Sequence, residues 1–502
     1  MKVTLISPKV DCEGSSLLDF KYLVQLLGGK IKTNCLPLAL PTLAALTPTN
    51  IEVDIIDENI EPINYDKKVD LVGITFFTFL APRAYRIADE FRRRGVKVVL
   101  GGIHASMLPE EASLHADIVI IGEAEEVWPA FIKDLCEGKS KTLYHSANYP
   151  QLDKIVIPRW DLVKSDAYQI FNIQSTRGCP FDCDFCSVRA FNGRGIRHKP
   201  IENVIKEIEA LKELTGRKAI SIVDDNLTAD RKYAKDLFKA LIPLKIKWLS
   251  QASIDVAGDE ELLELAAQSG ATHLLVGFES VSQESLNSVN KGKVNKVENY
   301  LSAIEKIHSY GIAVFGSFIL GLDCDDDTVF EKTANFVNNS DISSSIFSIL
   351  TPPPGTRLFN RLEDEKRILH KRWEEYHGGR VCFTPKLMSP KMLQEGYYWT
   401  LQKVYSISSS FKRLERVWKK NLLKRDKITV LDKSVISLKL IKGLLCRNIN
   451  MIRIVVKTIK SLWRRNVDIG SILMNLSFYV FANQYPKIKY LRRSNCEKEV
   501  KC

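Results

Sequence analysis

Short, continuous apolar runs rich in β-branched residues alternate with amphipathic helical segments twice along this chain of 502 residues. In the first block the runs are KVTLIS, IEVDIID, DLVGITFF, KVVLGG and DIVIIG, with segments such as PRAYRIADEFRRRG between them. Runs of this kind suit strands buried on both faces of a parallel sheet. Residues 1–140 are therefore predicted to form a doubly wound α/β domain, with its ligand crevice at the strand C-termini. The crevice candidates are Thr75 and Thr78 after the third run, Gly101, Gly102 and His104 after the fourth, and Gly122 and Glu123 after the fifth. Adjacent glycines either let a ligand approach the backbone or serve a tight turn, and local sequence does not separate the two. A lone His in such a loop reads as a hydrogen-bonding, packing or cofactor contact.

Residues 141–168 show no sustained period and carry two prolines, so they read as a connection. A second alternation then follows: FNIQST, AISIVDD, KWLSQASID, HLLVGFES, AVFGSFILG and SIFSILTPP. Six βα units over residues 169–385 predict a partial barrel with its chemistry at the strand C-termini. Pro200 and Gly216 bracket a helix between the first two strands. From 386 to 502 the strand signals fade, and the pattern becomes helical and basic.

The charge is uneven. From Phe411 onward there are 23 Lys and Arg against six Asp and Glu, whereas the first 410 residues hold 49 against 54. Basic helices that also carry Leu438, Leu440, Ile452, Val455 and Trp463 predict docking on an anionic membrane surface or, equally, a solvated face packed on the barrel. Nucleic acid is the weaker reading, because no aromatic single-strand platform or known RNA-binding motif accompanies the charge. Eleven cysteines, odd in number and mostly scattered, argue for a reducing cytosol over a disulfide framework. MKVTLISPKV reads as a strand and not as a signal peptide, and no apolar run approaches the ~20 residues of a membrane span. The expectation is a cytoplasmic protein, with the tail offering a peripheral hold on the inner face of the cell membrane.

The chemistry concentrates in RGCPFDCDFC, where Cys179, Cys183 and Cys186 fall in the spacing Cys-x3-Cys-x2-Cys. Structural zinc asks for four ligands, usually in CxxC pairs, and no second pair exists here. Three close thiolates suit a four-iron cluster with one iron left open for a ligand. The spacing, with aromatic Phe185 before the third cysteine, resembles that of radical S-adenosylmethionine enzymes. The resemblance implies a [4Fe-4S] cluster held by the three cysteines. It also implies S-adenosylmethionine chelated to the open iron and cleaved reductively to a 5′-deoxyadenosyl radical, with a ferredoxin or flavodoxin as reductant. It further implies S-adenosylmethionine contacts at Asp224, Asp225 and Asn226 after the second barrel strand, Ser253 after the third, Glu279 and Ser280 after the fourth, and Gly316 and Gly321 on the fifth. Helix capping and packing are the competing readings for these residues.

An α/β domain carrying GGIHASMLPEE and IGEAEEVWP ahead of the barrel resembles the cobalamin-binding class of these enzymes over roughly residues 1–385. That implies cobalamin over the crevice residues and methylation of an unactivated carbon in a small-molecule or lipid substrate. The Asp-x-His-x-x-Gly motif that supplies an axial histidine elsewhere is absent; SPKVDCEGS occupies the corresponding loop. Three other readings stay open: radical cyclisation, oxidation or C–C coupling without methyl transfer, a tRNA methylthiotransferase-like enzyme, and a cluster-bearing binding module.

Overall fold

The computed structural model describes residues 1–10, 33–35, 37–145, 148–154, 156–216 and 219–419. The chain divides into two compact units, one of residues 1–13, 35–251 and 351–383, the other of 14–34, 252–350 and 384–502. Cys12, the greater part of the SPKVDCEGS loop and the basic segment after Lys419 lie outside the described residues.

The first unit opens with strands β1 (Lys2–Ser7), β2 (Glu52–Asp57), β3 (Leu71–Thr75), β4 (Lys97–Gly101), β5 (Ile118–Ile121) and β6 (Leu143–His145). They pair in the order β2-β1-β3-β4-β5-β6, parallel throughout. All five predicted runs form strands, because each offers β-branched residues to both faces. Val3, Leu5, Leu71 and Val99 fill one core layer, and Ile6, Val72, Val98 and Leu100 the other. The edge strand β6 falls inside the segment read from sequence as a connection. The strand order reverses between β1 and β3, which puts the topological switch point, where ligands bind such sheets, at the ends of those two strands. Helices α1 (Ala39–Leu46), α2 (Ala81–Arg93), α3 (Ile103–Met107), α4 (Pro109–His115) and α5 (Val127–Cys136) accompany the sheet.

The same unit continues with β7 (Tyr168–Ile173), the short antiparallel pair β8 (Thr176–Arg177) and β9 (Arg197–His198) with α6 (Ser187–Asn192) between them, then α7 (Ile201–Thr215), β10 (Ala219–Ile222), α8 (Arg231–Leu241) and β11 (Lys247–Ala252). β10 lies parallel between β7 and β11. Gly216 closes α7 in the left-handed conformation, as expected, and Pro200 stands at its N-cap. Residues 351–383 return to this unit, where Phe359, Trp373, Tyr376 and Cys382 join the α2-side core.

The second unit holds α9 (Glu260–Ser269), β12 (Ala271–Glu279), α10 (Gln283–Ser288), α11 (Tyr300–Ser309), β13 (Ala313–Leu320), α12 (Val329–Asn339), β14 (Ser344–Ile349), α13 (Pro390–Val404) and α14 (Ile407–Lys419). β13 pairs in parallel with β12 and β14. Two basic residues of α14 turn inward. Arg413 is fully buried, donating to Asn338 Oδ1 at 3.0 Å, and Arg416 donates to the carbonyls of Asn338 and Ser340 at 2.6 and 2.7 Å. The start of the basic tail is thus a helix seated on α12. No described helix is long and apolar enough to cross a membrane.

Candidate functional site

The cysteine loop leaves β8 through Gly178 (φ +91°), where a Cβ would stand 2.3 Å from the Gly195 carbonyl oxygen. Only glycine lets the two arms of the loop approach this closely. Cys183 is buried, Cys179 and Cys186 are half-buried, and the Cys186 amide donates to the Cys183 carbonyl at 3.2 Å. Phe185 is half-buried between them. Burial pushes the Cys186 thiol up to about 12, with Cys183, Cys179 and Asp225 adding charge repulsion. No three His, Cys, Asp or Glu side chains among the described residues gather tightly enough to hold a single metal ion.

The acids after β10 brace this loop. Asp224 is wholly buried; it accepts from the Ser175 amide at 2.7 Å, from the Ser175 hydroxyl, and from the Thr176 hydroxyl at 2.8 Å. Burial raises its pKa against those hydrogen bonds. The sequence offered Asp224 as an S-adenosylmethionine contact; here its carboxylate is committed to the strand end that carries the cysteines. Asp225 accepts from the Gly178 amide at 2.8 Å and from Asn192 Nδ2 at 3.0 Å. Asn226 Nδ2 lies 4.0 Å from Cys179 Sγ.

Glu123, expected at the cobalamin crevice, is also committed. It accepts from Arg177 at 2.6 Å and from Arg197 at 3.0 Å, and its side chain is 3% exposed. His104 is fully buried, with Nε2 3.2 Å from Glu111 Oε1, and it packs edge-on to Trp373. It is a core histidine. Glu111 also accepts from Tyr85 and Trp373, so burial raises its pKa less than His104, Tyr85 and Trp373 lower it. Gly102 (φ +91°) has no space for a Cβ, which would meet Thr75 Oγ1 at 2.6 Å, so its freedom serves the contact between the β3 and β4 exits. Gly101 meets only ordinary packing, and Thr78 is buried in the turn after β3. Gly122 (φ +82°) opens onto empty space, and Phe77, 58% exposed, stacks on Phe79 at the β3 exit. An exposed apolar ring at the switch point and an open glycine at the β5 exit suit a large ligand lying over the strand ends.

In the second unit, Glu279 ends β12 with φ +61° at a register shift between Gly277 and Glu279. Its carboxylate folds back over Gly277 and faces the buried Lys291; burial raises its pKa and Lys291 opposes the rise. A non-glycine residue held in this conformation at a strand end is strained, and strain of this kind collects at ligand sites. Asn295 and Tyr300 fix the same strand end by donating to the Phe278 carbonyl at 3.0 and 2.8 Å. The Ser280 hydroxyl accepts from the Ser282 amide at 3.1 Å, and Ser253 donates to Asp255. Gly316 leaves room for Phe318 and Ser345, and Gly321 (φ +94°) for Leu393, so both serve packing.

Asp325 accepts from the Gly321 and Leu322 amides at 3.0 Å and from the Ser285 hydroxyl at 2.6 Å. Burial raises its pKa to about 6 in spite of those bonds. An acid whose folded pKa lies above its unfolded value stabilises the fold below the unfolded value and loses that stabilisation as pH rises through the folded one. The gap from 3.8 to about 6 corresponds to ~3 kcal/mol. The thermal stability of the parent relative to Asp325→Asn is therefore expected to fall between about pH 4 and pH 6 and to level off above that. A difference that grew over that interval would refute the assignment.

Sequence reasoning missed Arg177, Glu125 and Asn192, and also Arg357. From the TPPPGTRLF segment Arg357 donates to the Asp182 carbonyl at 2.6 Å and lies 2.7 Å from Asp184. The arginine directly before Gly-Cys and the acids of GEAEE were visible signals.

Residues 173–337 match the radical SAM superfamily, residues 24–132 the B12 binding domain, and residues 356–465 a domain of unknown function (DUF4070). The bacteriochlorophyllide d C-12(1)-methyltransferase of Chlorobaculum tepidum is 33% identical over 389 residues, 76% of this chain and 85% of that protein. The C-8(2)-methyltransferase of the same organism is 32% identical over 384 residues, covering 74% and 85%. Among solved structures, the radical S-adenosylmethionine methyltransferase TsrM from Kitasatospora setae, with cobalamin and [4Fe-4S] cluster bound, superposes with a TM-score of 0.61 at 14% identity, covering 92% of this chain and all of that one. That likeness is one of fold: an N-terminal doubly wound parallel sheet, a partial barrel and C-terminal helices.

Proposed function

The chain belongs to the radical S-adenosylmethionine enzymes that carry a B12-binding domain, and from that premise we propose that it methylates an unactivated carbon of a bulky, largely apolar small molecule. The observation that carries the proposal is one loop with three clustered thiols, braced by Asp224 and Asp225, in a chain whose curated relatives are named for methyl transfer. When bound, the [4Fe-4S] cluster, S-adenosylmethionine and cobalamin supply the electron, the 5′-deoxyadenosyl radical and the methyl group.

We assign the residues as follows. Cys179, Cys183 and Cys186 would hold the cluster, one iron each. Three cysteines on one loop in the spacing Cys-x3-Cys-x2-Cys fit a polynuclear centre. Burial favours the neutral Cys186 thiol, so the protein would release a proton there on taking up the cluster. Asp225 and Asn226, next to the cysteine loop, are the polar groups suited to the ammonium of S-adenosylmethionine. Phe77, Gly122 and Thr75 line the crevice for cobalamin. The substrate class rests on relatives named for bacteriochlorophyllide, a large and mostly apolar macrocycle. A peripheral hold on a membrane rests on the charge of residues 420–502 alone, since Arg413 and Arg416 are engaged within the protein.

The test needs no substrate. The anaerobically reconstituted chain, given hydroxocobalamin, a reductant and S-adenosylmethionine labelled in its methyl group, is expected to form S-adenosylhomocysteine and to place label on cobalamin. A cyclase or oxidase would release 5′-deoxyadenosine with no cobalamin-dependent S-adenosylhomocysteine, and that result would overturn the methylation reading.

A further inference from the structure

Glu123 and Glu125 stand on the loop that leaves β5 at the crevice, and Arg177 and Arg197 stand on the β8–β9 pair that bears the cysteine loop. Arg177 reaches both acids, Glu123 at 2.6 Å and Glu125 at 2.5 Å, while its Nε donates to Gln174 at 2.8 Å. Arg197 grips Glu123 with two nitrogens, donates to the Pro150 carbonyl at 3.0 Å, and stacks over Tyr149 at 4.9 Å. All four side chains are largely buried, between 3% and 20% exposed. Burial raises the Glu125 pKa, but the charge and hydrogen bond of Arg177 outweigh it, so the acid stays ionised. The next residue, Gly178, is pinned by Asp225, and Cys179 follows directly.

Burying two arginines and two glutamates costs more than burying apolar side chains of the same size, so stability alone is a poor reason for the arrangement. Planar guanidinium forks gripping carboxylates from two sides restrict both distance and angle. We propose that Glu123, Glu125, Arg177 and Arg197 are positioning residues forming a rigid strut. This strut sets the cysteine loop at a fixed separation from the crevice, and with it the separation of cluster and cobalamin. The inference rests on the function proposed above. It matters because methyl transfer from S-adenosylmethionine at the cluster to cobalamin would tolerate little error: a displacement of about 1 Å can cost about 100-fold in rate.

The experiment uses the full chain reconstituted with iron, sulfide and hydroxocobalamin. The distance between the cob(II)alamin and reduced-cluster spins is read by pulsed electron paramagnetic resonance. The parent is expected to give one narrow distance. Arg197→Gln, on the more exposed arm, and Glu125→Gln should keep parental iron and cobalt content yet show a distribution at least about twofold broader or shifted by about 1 Å, since the precision of a site is lost when its supporting shell is loosened. An unchanged distribution in both variants overturns the strut. So does loss of iron in step with loss of fold, which would make these residues supports of the loop alone. A parent that takes up no cobalt fails the proposed function instead, and so separates the two ideas.

Discussion

Replacing Cys179, Cys183 or Cys186 with Ala is expected to take the reconstituted protein from about four irons per chain to nearly none. Formation of 5′-deoxyadenosine should then fall by three orders of magnitude or more, about 4 kcal/mol in barrier terms. Two remaining thiolates cannot hold three irons. The fold should survive. These thiols sit on a loop, and neither Cys179 nor Cys186 belongs to the apolar core. Thermal unfolding within about 2 °C of the apo parent, together with absent charge-transfer absorbance, would separate loss of the centre from loss of structure. A variant that still made deoxyadenosine at the parental rate would place the reductive chemistry elsewhere.

The parts legible in the sequence were those written in local pattern. The β-branched runs of β1 to β5 declared themselves because each fills two core layers, and three cysteines in eight positions declared a polynuclear centre. β6 did not, since Leu143–His145 is too short to carry a period. The ion pair of Arg177 with Glu123 joins residues far apart in sequence, and nothing local marks it. Val-Asp-Asp-Asn announced polar groups at a strand end, but only packing shows that Asp224 turns to the Ser175–Thr176 backbone while Asp225 faces the loop. The basic pattern near Phe411 gave a helix with a charged face; it could not say that Arg413 would lie buried beside Tyr405 and Asn338. Periodicity names a face, and the partner of that face is a tertiary fact.

Asp224 carries the second large effect. Asp224→Ala removes the acceptor for the Ser175 amide and for two hydroxyls in a site that water does not reach. Each buried donor left unmade costs ~1–3 kcal/mol, so the variant should lose roughly 3–5 kcal/mol. Asp224→Asn keeps an oxygen for the Ser175 amide, and the two hydroxyls can rotate to accept from its NH2 group. Burial already pushes the Asp224 pKa upward, which favours the neutral form that Asn mimics, so this change should cost only about 1 kcal/mol. Because Thr176 stands three residues before Cys179, the Ala variant should also lose most of its iron on reconstitution while the Asn variant keeps it. Unfolding midpoints and iron content, measured side by side on both proteins, decide the matter. Equal losses in Ala and Asn would mean that the carboxylate's charge, and not its place as an acceptor for the strand end, is what the cysteine loop depends on.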